Sequence, residues 1–237
     1  MFGWVALITG ILITSALLYW LLILTEGAYL GPRVVILLYD LTAHRYNRLK
    51  EYDADEEDYF LGRPLAQALG EHPAPWVLDV ATGTGRLPLT LLRQTGFEGQ
   101  IVALDRSARM LAIARQDLAE HAGRCRFLVA DAEALPFADQ CFSAVSCLEA
   151  LEFLAHPQRG LRELIRVLQG RGWLLATNRI GWEAYLMPGK TWARDEVMAS
   201  LSQLPLAEIA VRPWQVIYDI IWARKRTAPV TAAHRNR

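Results

Sequence analysis

The chain has 237 residues, enough for one medium-sized domain with a substantial core and an additional segment. Lysine and arginine together number 25, as do aspartate and glutamate, and no basic stripe runs through the body of the chain. Nucleic-acid binding is therefore disfavoured. Cys125, Cys141 and Cys147 lack metal-binding spacing and are predicted to be reduced thiols in the core.

The N-terminus carries an uncharged apolar run of 22 residues from Gly3 to Leu24, GWVALITGILITSALLYWLLIL. As a helix it would reach about 33 Å, close to the apolar thickness of a bilayer. Trp4, Tyr19 and Trp20 lie near its ends, as interfacial aromatic residues do. A signal peptide is the competing interpretation, although the basic n-region is missing and the run is longer than an h-region. A buried core helix is the other alternative.

We predict a retained single-pass membrane anchor over residues 1–25. The nearby positive side chains all follow the span, at Arg33, Arg45, Arg48 and Lys50. Because positive residues stay on the cytoplasmic side, the main domain is expected there.

Residues 26–75 are predicted to be a linker with N-terminal lid helices. Val34, Leu37, Leu38 and Leu41 are spaced like one face of a helix. Six acidic residues then fall between Glu51 and Asp58, and we interpret them as a solvated helix start or loop. No metal site is predicted.

From Trp76 onward, apolar strand-like runs alternate with amphipathic helices. The predicted strands are 76–80, 100–105, 125–131, 141–148 and 172–178. The predicted helices are 86–95, one capped by Ser107, and 158–168, the last ended by Gly170 and Gly172. This alternation is typical of an α/β fold with a parallel sheet covered on both faces.

The C-terminal part differs from this alternation. A short helix over 194–204 precedes two strand-like runs, 207–214 and 215–225, that are close enough to pair antiparallel. The polar tail over 227–237 is predicted to be disordered.

Four features fall at predicted strand ends, where open parallel sheets bind ligands: the Gly83-Thr84-Gly85 turn, Asp105, Asp131 and the segment 149–152. The glycines let a ligand approach the backbone, and the following helix offers free N–H groups. Asp105 lies where a carboxylate can accept hydrogen bonds from a ribose, and Asp131 could accept from an adenine amino group. These features predict an adenosine-containing cofactor.

A nicotinamide cofactor is the less favoured choice. The turn continues as Arg86-Leu87-Pro88 and does not complete GxGxxG, and an acid such as Asp79 is rare at the end of the first strand of that fold.

Four segments in order, VLDVATGTG, ALD, VADAEALPFADQCFSAVSC and LRELIRVLQGRGWLLAT, resemble the successive motifs of class I S-adenosylmethionine-dependent methyltransferases. The resemblance covers roughly residues 35 to 225 and is closest to the small-molecule branch that includes ubiquinone/menaquinone-biosynthesis enzymes. It implies a Rossmann-like, seven-stranded, mostly parallel sheet with one antiparallel strand in the last hairpin. It also implies a methyltransferase domain over 76–226 with S-adenosylmethionine as cofactor.

The resemblance assigns roles to individual residues. Asp79 would meet the methionine amino group, and Thr82, Gly83 and Gly85 would line the amino-acid part. Asp105 would bind the ribose diol, Arg106 would flank the adenine, and Asp131 with Ala132 would hold its edge. Leu148, with Glu149, would lie near the reacting methyl group.

Two positions depart from the usual pattern, and no catalytic base is assigned. Ala81 replaces a glycine, which is tolerable if its φ is negative, and Gln169-Gly170-Arg171-Gly172 replaces a Pro-Gly-Gly turn. Glu149 and Glu152 are the nearest acids to the expected site, and either can be structural.

The acceptor is expected to be small and apolar, of lipid or quinone type, because the anchor places the domain at a membrane. The segment 39–59, with Tyr46, resembles the lid of related enzymes. Trp182, Tyr185, Met187 and Trp192 would wall the acceptor or pack in the core. A non-catalytic membrane adaptor that keeps the methyltransferase fold is the alternative function.

Overall fold

The computed structural model describes residues 2–50 and 52–227 of the chain. All but the first residue of the predicted disordered tail lies outside the described residues.

The N-terminal segment is a continuous apolar helix. Helix α1, Phe2–Tyr19, is followed by a π-helical turn, Trp20–Leu24. The span Gly3–Leu24 has a mean hydropathy of 2.3, and 0% of its most apolar window is buried. Its length and composition therefore suit a membrane crossing, and the core-helix alternative does not fit an exposed segment.

The region between this segment and the sheet is mostly helical. Helix α2 is Pro32–Lys50, α3 is Ala54–Glu57, and a π-helical turn, Asp58–Gly62, leads into α4, Arg63–Leu69. Asp53 caps α3 by accepting the N–H groups of Asp55 and Glu56. The expected helix start in the acidic run is confirmed.

The predicted sheet is confirmed, with seven strands. They are β1 Trp76–Val80, β2 Gln100–Asp105, β3 Cys125–Val129, β4 Phe142–Cys147, β5 Leu168–Arg179, β6 Leu206–Trp214 and β7 Tyr218–Lys225. Their order across the sheet is β3-β2-β1-β4-β5-β7-β6. Strand β7 pairs antiparallel with both β5 and β6, and all other pairs are parallel.

Helices alternate with the strands. They are α5 Arg86–Leu92, α6 Ala108–Asp117, α7 Pro157–Val167, α8 Trp182–Tyr185 and α9 Arg194–Ser202. Ser107 caps α6 as predicted, because its side chain accepts the Met110 N–H at 3.0 Å.

Hydrophobic residues form a core on each side of the sheet. Successive residues of β1 point to opposite faces, so Val77 packs in one core and Leu78 in the other. Residues of α4 and α5 cover the first core, and residues of α7 and α9 cover the second. Both faces of the sheet are therefore buried, as a parallel sheet requires.

One predicted boundary is wrong. Gly170 and Gly172 do not form a turn after α7; they lie inside β5, at an irregularity where the pairing with β4 shifts register. A Cβ at Gly172 would lie 2.9 Å from the Ser143 carbonyl oxygen, so the glycine permits close approach of the two strands.

The topology defines where a ligand can enter. From β1 the chain continues to β2 on one side, while β4 pairs with β1 on the other side. The sheet therefore changes direction between β1 and β4, and a crevice forms there at the carboxyl ends of the strands.

Candidate functional site

A buried carboxylate, Asp79, lies at the end of β1. Its two oxygens accept hydrogen bonds from the hydroxyls of Thr82 and Ser146, each at 2.6 Å. Burial disfavours the charged form and raises the pKa of Asp79 to about 6, although the two hydroxyls oppose that shift. Both of these hydrogen-bond partners are neutral, so neither brings a positive charge to the buried Asp79 carboxylate. Asp79 lies at the carboxyl edge of the sheet, where ligands are expected.

The turn after β1 has an unusual backbone. Gly83 and Gly85 have φ of 56° and 86°, and Ala81 has φ of 56°. The expectation of a negative φ at Ala81 is wrong, because its backbone is in the left-handed region. Glycine, the usual residue at this position of the methyltransferase motif, adopts that conformation without strain, whereas the methyl group of alanine adds strain.

The two turn glycines meet different surroundings. A Cβ at Gly83 would be 3.9 Å from Tyr46 Cε1, its nearest neighbour, whereas one at Gly85 would be 2.8 Å from Leu118 Cδ1. Gly83 faces the crevice, and Gly85 allows the turn to pack on α6.

Asp105 ends β2 and holds this turn. Its Oδ2 accepts the Gly83 N–H at 2.9 Å, and its Oδ1 accepts the Ser107 N–H at 2.8 Å. Burial raises the pKa of Asp105, although these backbone N–H groups lower it. Each carboxylate oxygen keeps a further lone pair for a ligand hydroxyl.

These groups surround a cleft whose space, including the part open to solvent, is about 790 Å³. Its polar end includes Gly83, Asp105 and Ser107. Its other walls are mainly apolar and aromatic: Pro32, Val35, Ile36, Tyr39, Tyr46, Ala81, Leu104, Ala130, Ala132, Leu148, Ala150, Phe153 and Leu154.

Comparison with known proteins identifies the central part of the chain. Residues 77–172, from β1 into β5, match the family described as "Methyltransferase domain". This part of the chain is therefore similar to methyltransferase domains. The resemblance to class I S-adenosylmethionine-dependent methyltransferases is confirmed.

Relatives extend this similarity. The chain is 38% identical over 117 residues to the ubiquinone/menaquinone biosynthesis C-methyltransferase UbiE of Pseudomonas entomophila, covering 46% of each chain. The chain thus spans about half the length of the curated relatives it matches.

Two solved structures share the fold of the methyltransferase domain. The (4+2)-cyclase SpnF matches at a TM-score of 0.67 with 19% identity, over 84% of this chain and 97% of that one. A SAM dependent methyltransferase from Aquifex aeolicus matches at 0.58 with 20% identity, over 74% and 95%. The fold occurs with more than one activity, so function must be argued from the site.

The sequence-predicted site residues lie at one edge of the methyltransferase domain, but not all line the cleft. Arg106, Ala132 and Leu148 line it with Gly83 and Asp105. Asp79 and Thr82 line a narrower pocket beside it, which Gly83 and Leu148 also border.

Asp131 and Gly85 line neither pocket. Asp131 is half-exposed: it accepts the Glu133 N–H and faces Arg106 at 3.4 Å, so it sits at the rim.

The acids after β4 have separate roles. Glu149 is buried and its carboxylate contacts Arg86 and, at 2.6 Å, Lys50. Burial opposes ionisation, but these two cations outweigh it and lower the pKa of Glu149. Glu152 is buried outside the cleft, and its carboxylate accepts hydrogen bonds from Arg179 and Tyr218.

Part of the acidic run also belongs to this network. Glu57, expected to be solvated, is buried and accepts from the Arg86 guanidinium, at 2.6 Å to Nε. The expectation of a solvated segment is wrong at this residue, because Arg86 supplies the charge that permits burial. Among the described residues no cluster of potential metal ligands occurs.

The expected aromatic wall from residues 178–192 is wrong for this cleft. Met187 is fully buried, and Trp182 and Tyr185 are exposed at 61% and 88%. None of these, nor Trp192, lines the cleft.

Its wall comes instead from Val35, Ile36 and Tyr39 of α2 and from Phe153. Tyr46, in the predicted lid segment, also lines the cleft. The sequence does not identify this wall, because α2 has apolar residues on both sides and the spacing of its leucines indicates the other side.

Proposed function

We propose that the protein is an S-adenosylmethionine-dependent methyltransferase, held at a membrane by its N-terminal helix, that methylates a small apolar acceptor. The composition of the cleft carries the proposal: the carboxylate of Asp105 and the apolar side chains of Ile36 and Phe153 line the same space. A polar end suits a nucleoside, and an apolar wall suits a hydrophobic ligand. The family match of the central domain supports the assignment.

The residues proposed to contact the cofactor are those expected from the sequence. They are Asp79, Thr82, Gly83, Gly85, Asp105, Arg106, Asp131, Ala132 and Leu148. The free lone pairs of Asp105 suit two ribose hydroxyls, and Arg106 with Ala132 would flank the adenine. The rim position of Asp131 suits a contact at the adenine edge.

Asp79 is suited to a cationic group. Its buried carboxylate accepts hydrogen bonds from two neutral hydroxyls, so a ligand ammonium placed there would bring a charge partner into a shielded environment. The amino-acid part of the cofactor would then lie beside Thr82 and the turn glycines.

The bound cofactor would supply a methyl group already activated on a sulfonium. The protein's task is then to align the acceptor and exclude water, and such positioning can contribute roughly 7–11 kcal/mol in favourable cases. Ile36 and Tyr39 of helix α2 form part of the cleft wall. Burial raises the pKa of Tyr39 and Tyr46 well above the usual tyrosine value, so both stay protonated.

We assign no catalytic base. Glu149 is the acid that lines the cleft near Leu148, and its carboxylate is neutralised by Lys50 and Arg86. This arrangement is consistent with an acceptor nucleophile that needs no prior deprotonation, or with a water molecule that takes up the proton.

The acceptor is proposed to come from the membrane. The cleft wall is mainly apolar, and the candidate span lies directly before α2. Positive residues after the span support a cytoplasmic location for the domain. A lipid or quinone-like acceptor fits both features.

Calorimetry of the full chain in detergent tests the cofactor assignment, with S-adenosylmethionine and its demethylated product as ligands. We expect binding of both, and loss of binding in Asp105→Ala but not in the exposed α9 variant Asp195→Ala. Radiolabelled methyl transfer into a lipid extract of the source cells tests the activity. Binding without transfer would favour the adaptor, and absence of binding would overturn the proposal.

A further inference from the structure

Helix α2 presents two different sides. Val35, Ile36, Tyr39 and Tyr46 line the cleft, and Ala43 between them is buried. At about 100° per residue these positions share one side of the helix. That side belongs to the proposed active site.

The opposite side is exposed and combines leucines with arginines. Leu37 and Leu41 are 55% and 58% exposed, and Arg33, Arg45 and Arg48 are partly or fully exposed around them. These five residues, here called the outer face of α2, project about half a turn away from the cleft side.

The charge on the outer face has one sign. Asp40 is the only acidic residue between Pro32 and Lys50, and its carboxylate accepts from the Ser107 hydroxyl of the domain. Exposed leucines flanked by arginines on one helix side are typical of helices that lie on anionic lipid surfaces.

The outer face follows directly after the candidate span. The span ends at Leu24, and α2 begins at Pro32. The connection is held to the domain, because Trp20 Nε1 donates to the Leu186 carbonyl at 3.1 Å and the Tyr29 hydroxyl donates to the Pro188 carbonyl at 2.8 Å. The Tyr39 hydroxyl also donates to Glu26 at 2.8 Å. Helix α2 is therefore tied close to the membrane end of the span.

We propose that the outer face of α2 lies on an anionic bilayer surface, with the leucines at the acyl boundary and the arginines on lipid phosphates. This inference rests on the membrane attachment in the proposed function. Helix α2 then separates the bilayer from the cleft, and an apolar acceptor reaches the cleft around this helix without crossing bulk water.

Spin-label accessibility tests this arrangement in the full chain reconstituted into nanodiscs. Cys125 and Cys147 are buried, so a Cys141→Ser background leaves labelling to introduced cysteines. Labels are placed through Leu41→Cys, through Ile11→Cys in the span, and through Val216→Cys at an exposed apolar turn residue of the domain. Accessibility to oxygen, which partitions into lipid, is compared with accessibility to a water-soluble nickel complex.

With phosphatidylglycerol present, we expect the oxygen-to-nickel ratio to be several-fold higher at position 41 than at 216, and to fall in Arg45→Gln/Arg48→Gln. A ratio at 41 equal to that at 216, with a lipid-like ratio at 11, would overturn the proposal for α2 alone. A water-like ratio at 11 would overturn the membrane attachment and this proposal with it. Calorimetric cofactor binding of the same samples reports separately on the methyltransferase assignment.

Discussion

Gly83 donates its backbone N–H to Oδ2 of Asp105 at 2.9 Å, across the ends of β1 and β2. The glycine that faces the cleft is thus held by the carboxylate proposed to bind the ribose. Because one side chain shapes the turn and contacts the ligand, changes at either residue should affect cofactor affinity.

Asp105→Asn should weaken cofactor binding about tenfold to a hundredfold, as expected for loss of a hydrogen bond to a charged group. Both oxygens accept backbone N–H groups, so the new amide would place a donor against one of them. Titration calorimetry measures the change. Asp131→Asn is the matched control: this side chain is at the rim, and we expect a smaller effect. Equal losses in both variants would contradict the assigned roles.

Gly83→Ala and Gly85→Ala should have different effects. A Cβ added at Gly85 would lie 2.8 Å from Leu118 Cδ1, at a φ of 86°, so overpacking and backbone strain should together destabilise the fold by about 2–4 kcal/mol. At Gly83 the nearest atom is 3.9 Å away, so only the backbone term of about 1–2 kcal/mol applies.

The cleft position of Gly83 adds a binding effect. Gly83→Ala should lower cofactor affinity by more than its effect on stability suggests, since the methyl group points into the proposed cofactor space. Chemical unfolding and calorimetry on the two variants separate these effects. A larger stability loss at position 83 than at 85 would show that the glycines are assigned to the wrong roles.

Ala81→Gly should stabilise the protein by up to about 1 kcal/mol, because glycine accepts a φ of 56° without the strain that a Cβ causes. The gain is partly offset by the greater freedom of glycine in the unfolded chain. Ala130→Gly, at another cleft-lining alanine outside the left-handed region, is the control and should destabilise by about 0.5–1 kcal/mol. Denaturation midpoints of the two variants should therefore move in opposite directions.

The strands and the rim residues could be predicted from the sequence because local patterns determine them. The bounds of β1 and β2 match the apolar runs, and Asp79 and Asp105 follow from their positions at strand ends. Buried parallel strands leave a continuous apolar run that needs no tertiary information.

The roof of the cleft could not be predicted in the same way. The apolar spacing groups Leu37 and Leu41 on one face of α2, yet both are exposed, while Tyr39 and Ile36 face the cleft. A helix with apolar residues on both sides has two candidate faces, and only tertiary packing selects between them. The same holds for Glu57, whose burial depends on an arginine distant in sequence.

Cofactor affinity should rise with pH through about 6, because burial raises the pKa of Asp79 to about 6 and a ligand ammonium pairs with the ionised form. The same raised pKa affects folding stability. The folded protein favours protonated Asp79, so this group stabilises the fold below its unfolded pKa of about 4, and that stabilisation is lost as the pH rises through 6. At pH 5 binding should be about tenfold weaker than at pH 7, since a proton must leave. Calorimetry at pH 5, 6 and 7 measures this for the wild type and for Asp79→Asn, which should bind weakly with a flat profile. A variant that keeps the wild-type pH dependence would place the titrating group elsewhere.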